Sequence, residues 1–246
     1  MPIPPEDWIV PDWPAPARVR ALITTRNGGN SGGPYASMNL GLRVDDDPAI
    51  VEDNRRSLKR FLPAQPKWLN QVHGTTVVNA EAISQPVDAD ASVATSPGCV
   101  SVIMVADCMP VLFADQSGSV VAAAHAGWRG LAAGVIENTI HALDKSPQSL
   151  LAYLGPAIGP SAFEVGDEVR EAFVAVDESA AAAFRPHSPG KWLADLFLLA
   201  RQRLARAGVV NVYGGGQCTY SDPGRFFSHR RDKISGRMAA LIWLED

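Results

Sequence analysis

Cys108 and His125 stand where apolar runs end. Ser101–Val105 (SVIMV) runs into Asp107-Cys108, and Ser119–Ala124 (SVVAAA) runs into His125, which the turn Ala126–Gly130 (AGWRG) follows. Strands that fill a core are apolar throughout, and the loops at their ends are where sites are usually assembled. His73 lies in NQVHG, between the strand-like pieces Lys67–Leu69 and Thr75–Asn79. A catalytic zinc site takes three protein ligands and keeps a fourth position open. His73, Cys108 and His125 supply such a set, although spacings this wide form no local ligand knuckle. The same residues permit a second chemistry, a Cys108 thiolate activated by His125. His73 separates the two, because a dyad has no use for a second imidazole. A third reading is a buried free cysteine beside two hydrogen-bonded histidines.

Other candidates surround this set. Arg26 ends the strand-like run Val19–Thr25 and opens RNGGNSGGP, with four glycines in nine residues. A guanidinium fork fits phosphate, and the amides of Gly28 and Gly29 could approach an anion closely. The loop lacks the terminal Lys-Ser/Thr of a phosphate-binding P-loop. Asp107 adjoins Cys108 and is either a general acid/base or a group orienting a ligand imidazole. Trp128 or Phe227 could stack on an aromatic ligand or fill the core.

The elements that must carry these residues are a mixture of strands and helices. Residues 1–17, with six prolines and two tryptophans, form an irregular arm. Asp47-Pro48 is a helix start, and that helix runs to about Phe61. Val87–Thr95 enters a strand bearing Asp88 and Asp90. Pro110–Ala114 continues apolar beyond Cys108, and Asp115–Gly118 is a hairpin turn. Leu131–Leu143 has helical spacing. Leu150–Leu154 is a strand, Asp167–Val176 and Glu178–Phe184 are short helices, and Trp192–Ala207 is an amphipathic helix stopped by Gly208. Val209–Tyr213 and Met238–Leu244 are the last strands. Without repeats or linkers, residues 1–246 are expected to form one α/β domain.

Composition excludes several classes. A net charge of −4 gives no electrostatic footprint for nucleic acid or an anionic membrane. No apolar run reaches the roughly 20 residues of a membrane span. The N-terminal arm lacks the basic and apolar regions of a secretory signal. Three scattered cysteines make no disulfide framework, so a reducing, cytoplasmic setting is expected. A monomer or weak homodimer is the expected assembly.

NQVHG (70–74), ADCMPVLFAD (106–115), AAAHAGWRG (122–130), LGPAIGPSAFEVGDEV (154–169) and FFSHRRD (226–232) resemble the YfiH-like family, once labelled multicopper polyphenol oxidase or laccase-like. The resemblance spans nearly the whole chain in order. It implies a layered α/β sandwich with mixed β-sheets, related in shape to toxin-type cysteine hydrolases. It also implies one zinc on His73, Cys108 and His125, and an anion-binding role for Arg26. The implied activities are phosphorolysis of adenosine, inosine and 5′-methylthioadenosine, and deamination of adenosine to inosine. The implied ligands are therefore a purine nucleoside and phosphate. Asn39, Arg129 and Arg230 are added as substrate- or phosphate-binding candidates. Two alternatives stay open: a peptidoglycan-editing hydrolase using the same Cys/His site, and a copper-dependent polyphenol oxidase. Only five histidines are available to a multicopper centre, although a mixed thiolate–imidazole set can take copper. The usual zinc-deaminase signature is absent.

Overall fold

The apolar runs become strands that stack in layers. The structure, a computed structural model, describes residues 2–246, so the first residue of the arm lies outside the described residues. In chain order the first elements are β1 (Val19–Ile23), α1 (Pro48–Lys59), β2 (Val77–Asn79), β3 (Ala91–Ala94) and β4 (Ser101–Val105). Then come β5 (Met109–Asp115), β6 (Val121–Ala126), α2 (Trp128–Ala133), α3 (Val135–Leu143), β7 (Leu150–Leu154) and β8 (Glu164–Gly166). The rest are α4 (Asp167–Val174), β9 (Phe184–Pro186), β10 (Lys191–Ala194), α5 (Leu196–Arg206), β11 (Asn211–Gly214), α6 (His229–Asp232) and β12 (Met238–Leu244).

A six-stranded mixed sheet runs β11-β7-β5-β6-β3-β2. An antiparallel sheet, β1-β12-β4, packs on one of its faces. A small sheet, β8-β10-β9, pairs separately and joins the helix-side core through Val165, Phe184 and Ala194. Alternation along β12 shows why no polar face appears there. Met238, Ala240, Ile242 and Leu244 point between the two large sheets, with Ile103, Leu112 and Val121. Ala239, Leu241 and Trp243 point the other way, against Trp8 of the arm and Leu58 of α1. The far face of the six-stranded sheet is covered by α3, α4 and α5 through Ile136, Phe173 and Leu204. The architecture is therefore the expected layered α/β sandwich with mixed sheets.

Three local expectations are corrected. Trp192–Ala194 is strand, not helix: Leu193 and Ala194 pair with Arg185 and Phe184. The helix begins only at Leu196, where the Asp195 carboxylate caps the Leu198 amide. The amphipathic pattern expects a charged residue such as Arg203 on the exposed face of this helix, but it is buried and paired with Glu137 at 2.6 Å. Leu131–Leu143 is two helices, because Gly134 sits at φ 103° and breaks the run after Ala133.

The β5–β6 turn is organised by Asp115. This buried carboxylate accepts from the Ser117 hydroxyl, the Ser119 amide (2.6 Å) and hydroxyl (3.0 Å), and the Val120 amide (2.9 Å). Burial would raise its pKa, but these donors outweigh burial and lower it. A depressed folded-state pKa contributes stability above the unfolded value and loses it as pH falls through the folded value. Asp115→Asn is therefore expected to cost about 1–3 kcal/mol at pH 7, since at least one donor is left facing an amide. Urea midpoints should show that deficit shrinking below about pH 3.9, as the wild-type carboxylate is protonated.

Candidate metal centre and its cavity

Two strand ends and one loop bring the three candidate ligands together. Along β6, Val121 and Ala123 face the space between the large sheets, and period-two alternation puts His125 on the same face. Cys108 immediately precedes β5 and packs at the border of the same layer. His73 projects from the loop before β2. The donor atoms of all three lie within 4.8 Å of one another. Cys108 Sγ is 3.9 Å from His73 Nε2, and the two imidazoles meet edge to face at 4.8 Å. His125 is buried, whereas His73 is exposed, so the cluster opens on its His73 side. Among the described residues this is the one His/Cys/Asp/Glu group able to hold a metal ion.

Asp90 holds the cluster in shape. Its Oδ1 accepts from His125 Nδ1 at 2.8 Å and from the His73 amide at 2.9 Å. Its Oδ2 accepts from the amides of Gly74 (2.6 Å) and Val72 (3.2 Å). One carboxylate therefore sets the tautomer of one ligand and the loop carrying another. It leaves the Nε2 lone pair of His125 for a metal. Burial pushes the Asp90 pKa up, but His125 and the loop amides outweigh it and lower it. In the sequence Asp90 reads only as a strand residue. Its DADAS context carried no further signal, because its partners are remote in the chain.

Close approach is the second condition. A Cβ added to Gly127 would lie 2.8 Å from Cys108 Sγ and 3.2 Å from His73 Cδ2. Gly127 therefore has to be a glycine for the ligands to converge. The stretch expected to be a tight turn is the end of β6 followed by the start of α2, with Gly127 at the helix cap. Two non-glycine residues here, His73 (φ 60°) and Asp107 (φ 86°), adopt the left-handed backbone region. Such conformations persist only where the surroundings impose them.

The electrostatics of the cluster favour a thiolate. Burial alone would raise the Cys108 thiol, but the charge and hydrogen bonds of His125 and His73 prevail and lower it to about 6. Burial disfavours a charged His125, yet Cys108 and Asp90 raise it to about 9. Burial pushes Cys99 up to about 11. In chelator-treated protein at pH 7, iodoacetamide is expected to alkylate Cys108 and spare Cys99, as read by peptide mass spectrometry. A metal ion added first should block the reaction.

The donor set fits zinc. Two imidazoles and one thiolate match a catalytic zinc site with an open position, and the 3.9 Å Sγ–Nε2 separation lets both atoms reach one ion after a small contraction. The cluster lies in the wall of a cavity of about 430 Å³, shared with Gln71, Met104, Arg43, Arg129, His229 and Arg237. Gln71 is fixed by reciprocal hydrogen bonds to the Met104 amide and carbonyl. A larger cavity, about 630 Å³, lies under the N-terminal arm, lined mainly by proline, aromatic and aliphatic residues.

Of the other expected site residues, Arg129 lines the cavity, its guanidinium 4.4 Å above the Trp128 ring. Six do not line it. Asp107 turns away: Oδ1 accepts from the Thr219 hydroxyl and Oδ2 from the Arg230 amide, both at 2.6 Å. Arg230 spends Nη1 on the Glu164 carbonyl. Arg26 donates to the carbonyls of Ala36 (2.9 Å) and Pro223 (3.0 Å) and stacks on buried Phe227. Asn39 is wholly buried and bonds Asp46, Gly41 and the Arg237 amide. The loop of Gly28 and Gly29 folds on its own chain, the Gly29 amide reaching Ser37 Oγ and the next amide Asn54 Oδ1. No helix is long and apolar enough to cross a membrane among the described residues.

Comparison with known proteins bears on the family and the fold. The family described as multi-copper polyphenol oxidoreductase laccase matches residues 20–245. A purine nucleoside phosphorylase of Pseudomonas aeruginosa is 58% identical over 240 residues, covering 97% of this chain and 99% of the relative. The Escherichia coli purine nucleoside phosphorylase YfiH is 54% identical over 241 residues, covering 96% and 98%. The crystal structure of a Neisseria meningitidis protein superposes with a TM-score of 0.95 at 52% identity, covering 98% of this chain and all (100%) of the other.

Proposed function

The chain belongs to the laccase-like, YfiH-type family, and from that premise we propose that it is a zinc-dependent purine nucleoside phosphorylase. The observation that carries the reading is the convergence of His73, Cys108 and His125 on a cavity within the roughly 300–1,000 Å³ usual for small-molecule sites. Adenosine, inosine and 5′-methylthioadenosine are the substrates, with deamination of adenosine as a second activity. Free cysteines fit a cytoplasmic enzyme acting as a monomer or weak dimer.

His73, Cys108 and His125 would hold the zinc. When bound, zinc supplies Lewis acidity that polarises an oxygen or nitrogen of the substrate. Asp90 keeps His125 in the productive tautomer and Gly127 leaves room beside the sulfur. In phosphorolysis a phosphate oxygen bonds to C1′ as the C1′–N9 bond breaks. The electron pair leaves with the purine, which takes up the proton that phosphate gives up. His229 is the titratable side chain in the cavity wall that is neither a ligand nor an arginine. It is the residue suited to carry that proton, and the one suited to shuttle protons in deamination, since Asp107 is committed to Thr219 and Arg230. Zinc suits this donor set better than a multicopper centre, which would need further ligand clusters than the one found among the described residues.

The test is direct. Zinc-loaded protein given inosine and phosphate should release hypoxanthine and ribose 1-phosphate in equal amounts, and adenosine should yield adenine and inosine. Protein holding one equivalent of zinc yet leaving nucleosides unchanged would overturn the reading, and action on muropeptides instead would favour a cell-wall hydrolase.

A further inference from the structure

Besides the metal ligands, the cavity wall carries three arginines. Arg43, Arg129 and Arg237 all line it. None of them forms an ion pair among the described residues; Arg43 and Arg129 are exposed and Arg237 is half-buried. Arg237 is the most telling. Its stem lies against Gly41, where an added Cβ would come within 2.8 Å of Arg237 Cγ. Its Nη1 is tied to the Ser235 carbonyl (2.8 Å), the Ser235 hydroxyl (3.3 Å) and the Gly236 carbonyl (3.0 Å). Nε and Nη2 have no partner among the described residues. The side chain is thus fixed at one edge of its fork while the other edge is left to donate. Desolvating a cation without an anion costs free energy, so a half-buried arginine held this way is matched to an anion that arrives from outside. Arg129 is braced over Trp128. Arg43 is exposed and reaches in from the chain that follows Gly41.

We propose that Arg43, Arg129 and Arg237 form the seat of the attacking inorganic phosphate, in the cavity that His73, Cys108 and His125 also line. The proposal rests on the phosphorylase reading for its choice of anion. Planar guanidinium forks bind phosphate oxygens in pairs, which gives orientation as well as attraction. Three of them around one anion can direct an oxygen toward a sugar carbon held beside the metal ligands. This seat replaces the glycine-rich loop of Arg26 and Gly29, which does not line the cavity and packs on its own chain. The residues come from three separate places: the segment after Asn39, the start of α2, and the irregular segment leading into β12. No contiguous motif announces them.

The proposal is tested by calorimetric titration of orthophosphate into the full-length, zinc-loaded protein, alongside steady-state kinetics with inosine. Arg237→Gln is expected to weaken orthophosphate binding about ten- to a hundredfold, the loss associated with one or two charge-assisted hydrogen bonds. Its KM for phosphate should rise in step, while KM for inosine moves less than about twofold, a split that loss of fold would not produce. Arg237 also ties down 235–236, so Arg43→Gln serves as a second variant. That side chain is exposed and forms no hydrogen bond or ion pair among the described residues, and its loss should weaken phosphate binding about three- to tenfold. If both variants bind orthophosphate as the wild type does, the seat is wrong. If the wild type ignores orthophosphate but takes inosine 5′-monophosphate through the same arginines, the assignment to the attacking phosphate is overturned. The two readings fail separately. Phosphate binding lost in the variants of a protein that cleaves no nucleoside would leave the seat standing and remove the phosphorylase. Nucleoside cleavage with phosphate KM unchanged in both variants would do the reverse.

Discussion

Asp90→Asn should loosen metal binding and lower turnover by about ten- to a hundredfold, the range for the partner that orients a ligand histidine. The reason lies in the count of acceptors. The carboxylate offers two oxygens, and four N–H groups point at them: His125 Nδ1 and the amides of Val72, His73 and Gly74. Asparagine has one oxygen and one NH2. With its oxygen toward Gly74 and Val72, the NH2 faces His125 Nδ1, which must become an acceptor. The ring proton then moves to Nε2, the atom that should bind metal. With its oxygen toward His125, the NH2 meets the donors of the His73 loop, and that ligand shifts instead. Either orientation spoils one ligand. The backbone bond from the His125 amide to the Asp90 carbonyl, 2.7 Å, is untouched, so β3 and β6 should stay paired. Competition with a chelator of graded strength reads the affinity, and circular dichroism reads the fold. Wild-type metal retention in a folded Asp90→Asn protein would show that the carboxylate orients nothing.

That example marks the boundary of what the chain reveals in one dimension. The runs SVIMV, MPVLFAD, VAAAHA and MAALIWL are strands because each is buried on both faces, and apolar runs of that length have few other uses. Cys108 and His125 stood out for the same reason, as polar atoms at the ends of such runs. Asp107 misled because adjacency in sequence is not adjacency in space. Its left-handed backbone turns it away from Cys108, toward Thr219 and the α6 amide of Arg230, more than a hundred residues downstream. KWLADLFLLA satisfies both a helical and an alternating pattern, and only the Asp195 cap decides where one gives way to the other. A loop of clustered glycines beside Arg26 suggests an anion site. In the folded chain that loop packs on itself around the fully buried Asn54, a polar residue on α1 whose burial no helical pattern foretells.

His73→Ala is the substitution that separates the two chemistries open to Cys108. A thiolate brought down to about 6 by its imidazole neighbours is a competent metal ligand and also a competent nucleophile, so the state of the sulfur decides nothing. A dyad needs only Cys108 and His125, which keep each other and Asp90 when His73 is gone. A three-ligand centre loses a third of its donors. His73 is the exposed member of the set, so its truncation removes little packing, and the fold should survive with a melting temperature near that of the wild type in chelator. Metal content should fall from about one equivalent toward zero after dialysis, and nucleoside cleavage by about a thousandfold or more, the several kcal/mol a Lewis-acidic ion supplies. Wild-type protein stripped by chelator should show the same loss and regain activity when zinc returns, whereas His73→Ala should not. A His73→Ala protein that cleaves substrate at the wild-type rate without bound metal would move the chemistry from the ion to the sulfur, and Cys108→Ser would then have to abolish a covalent intermediate trapped on that residue.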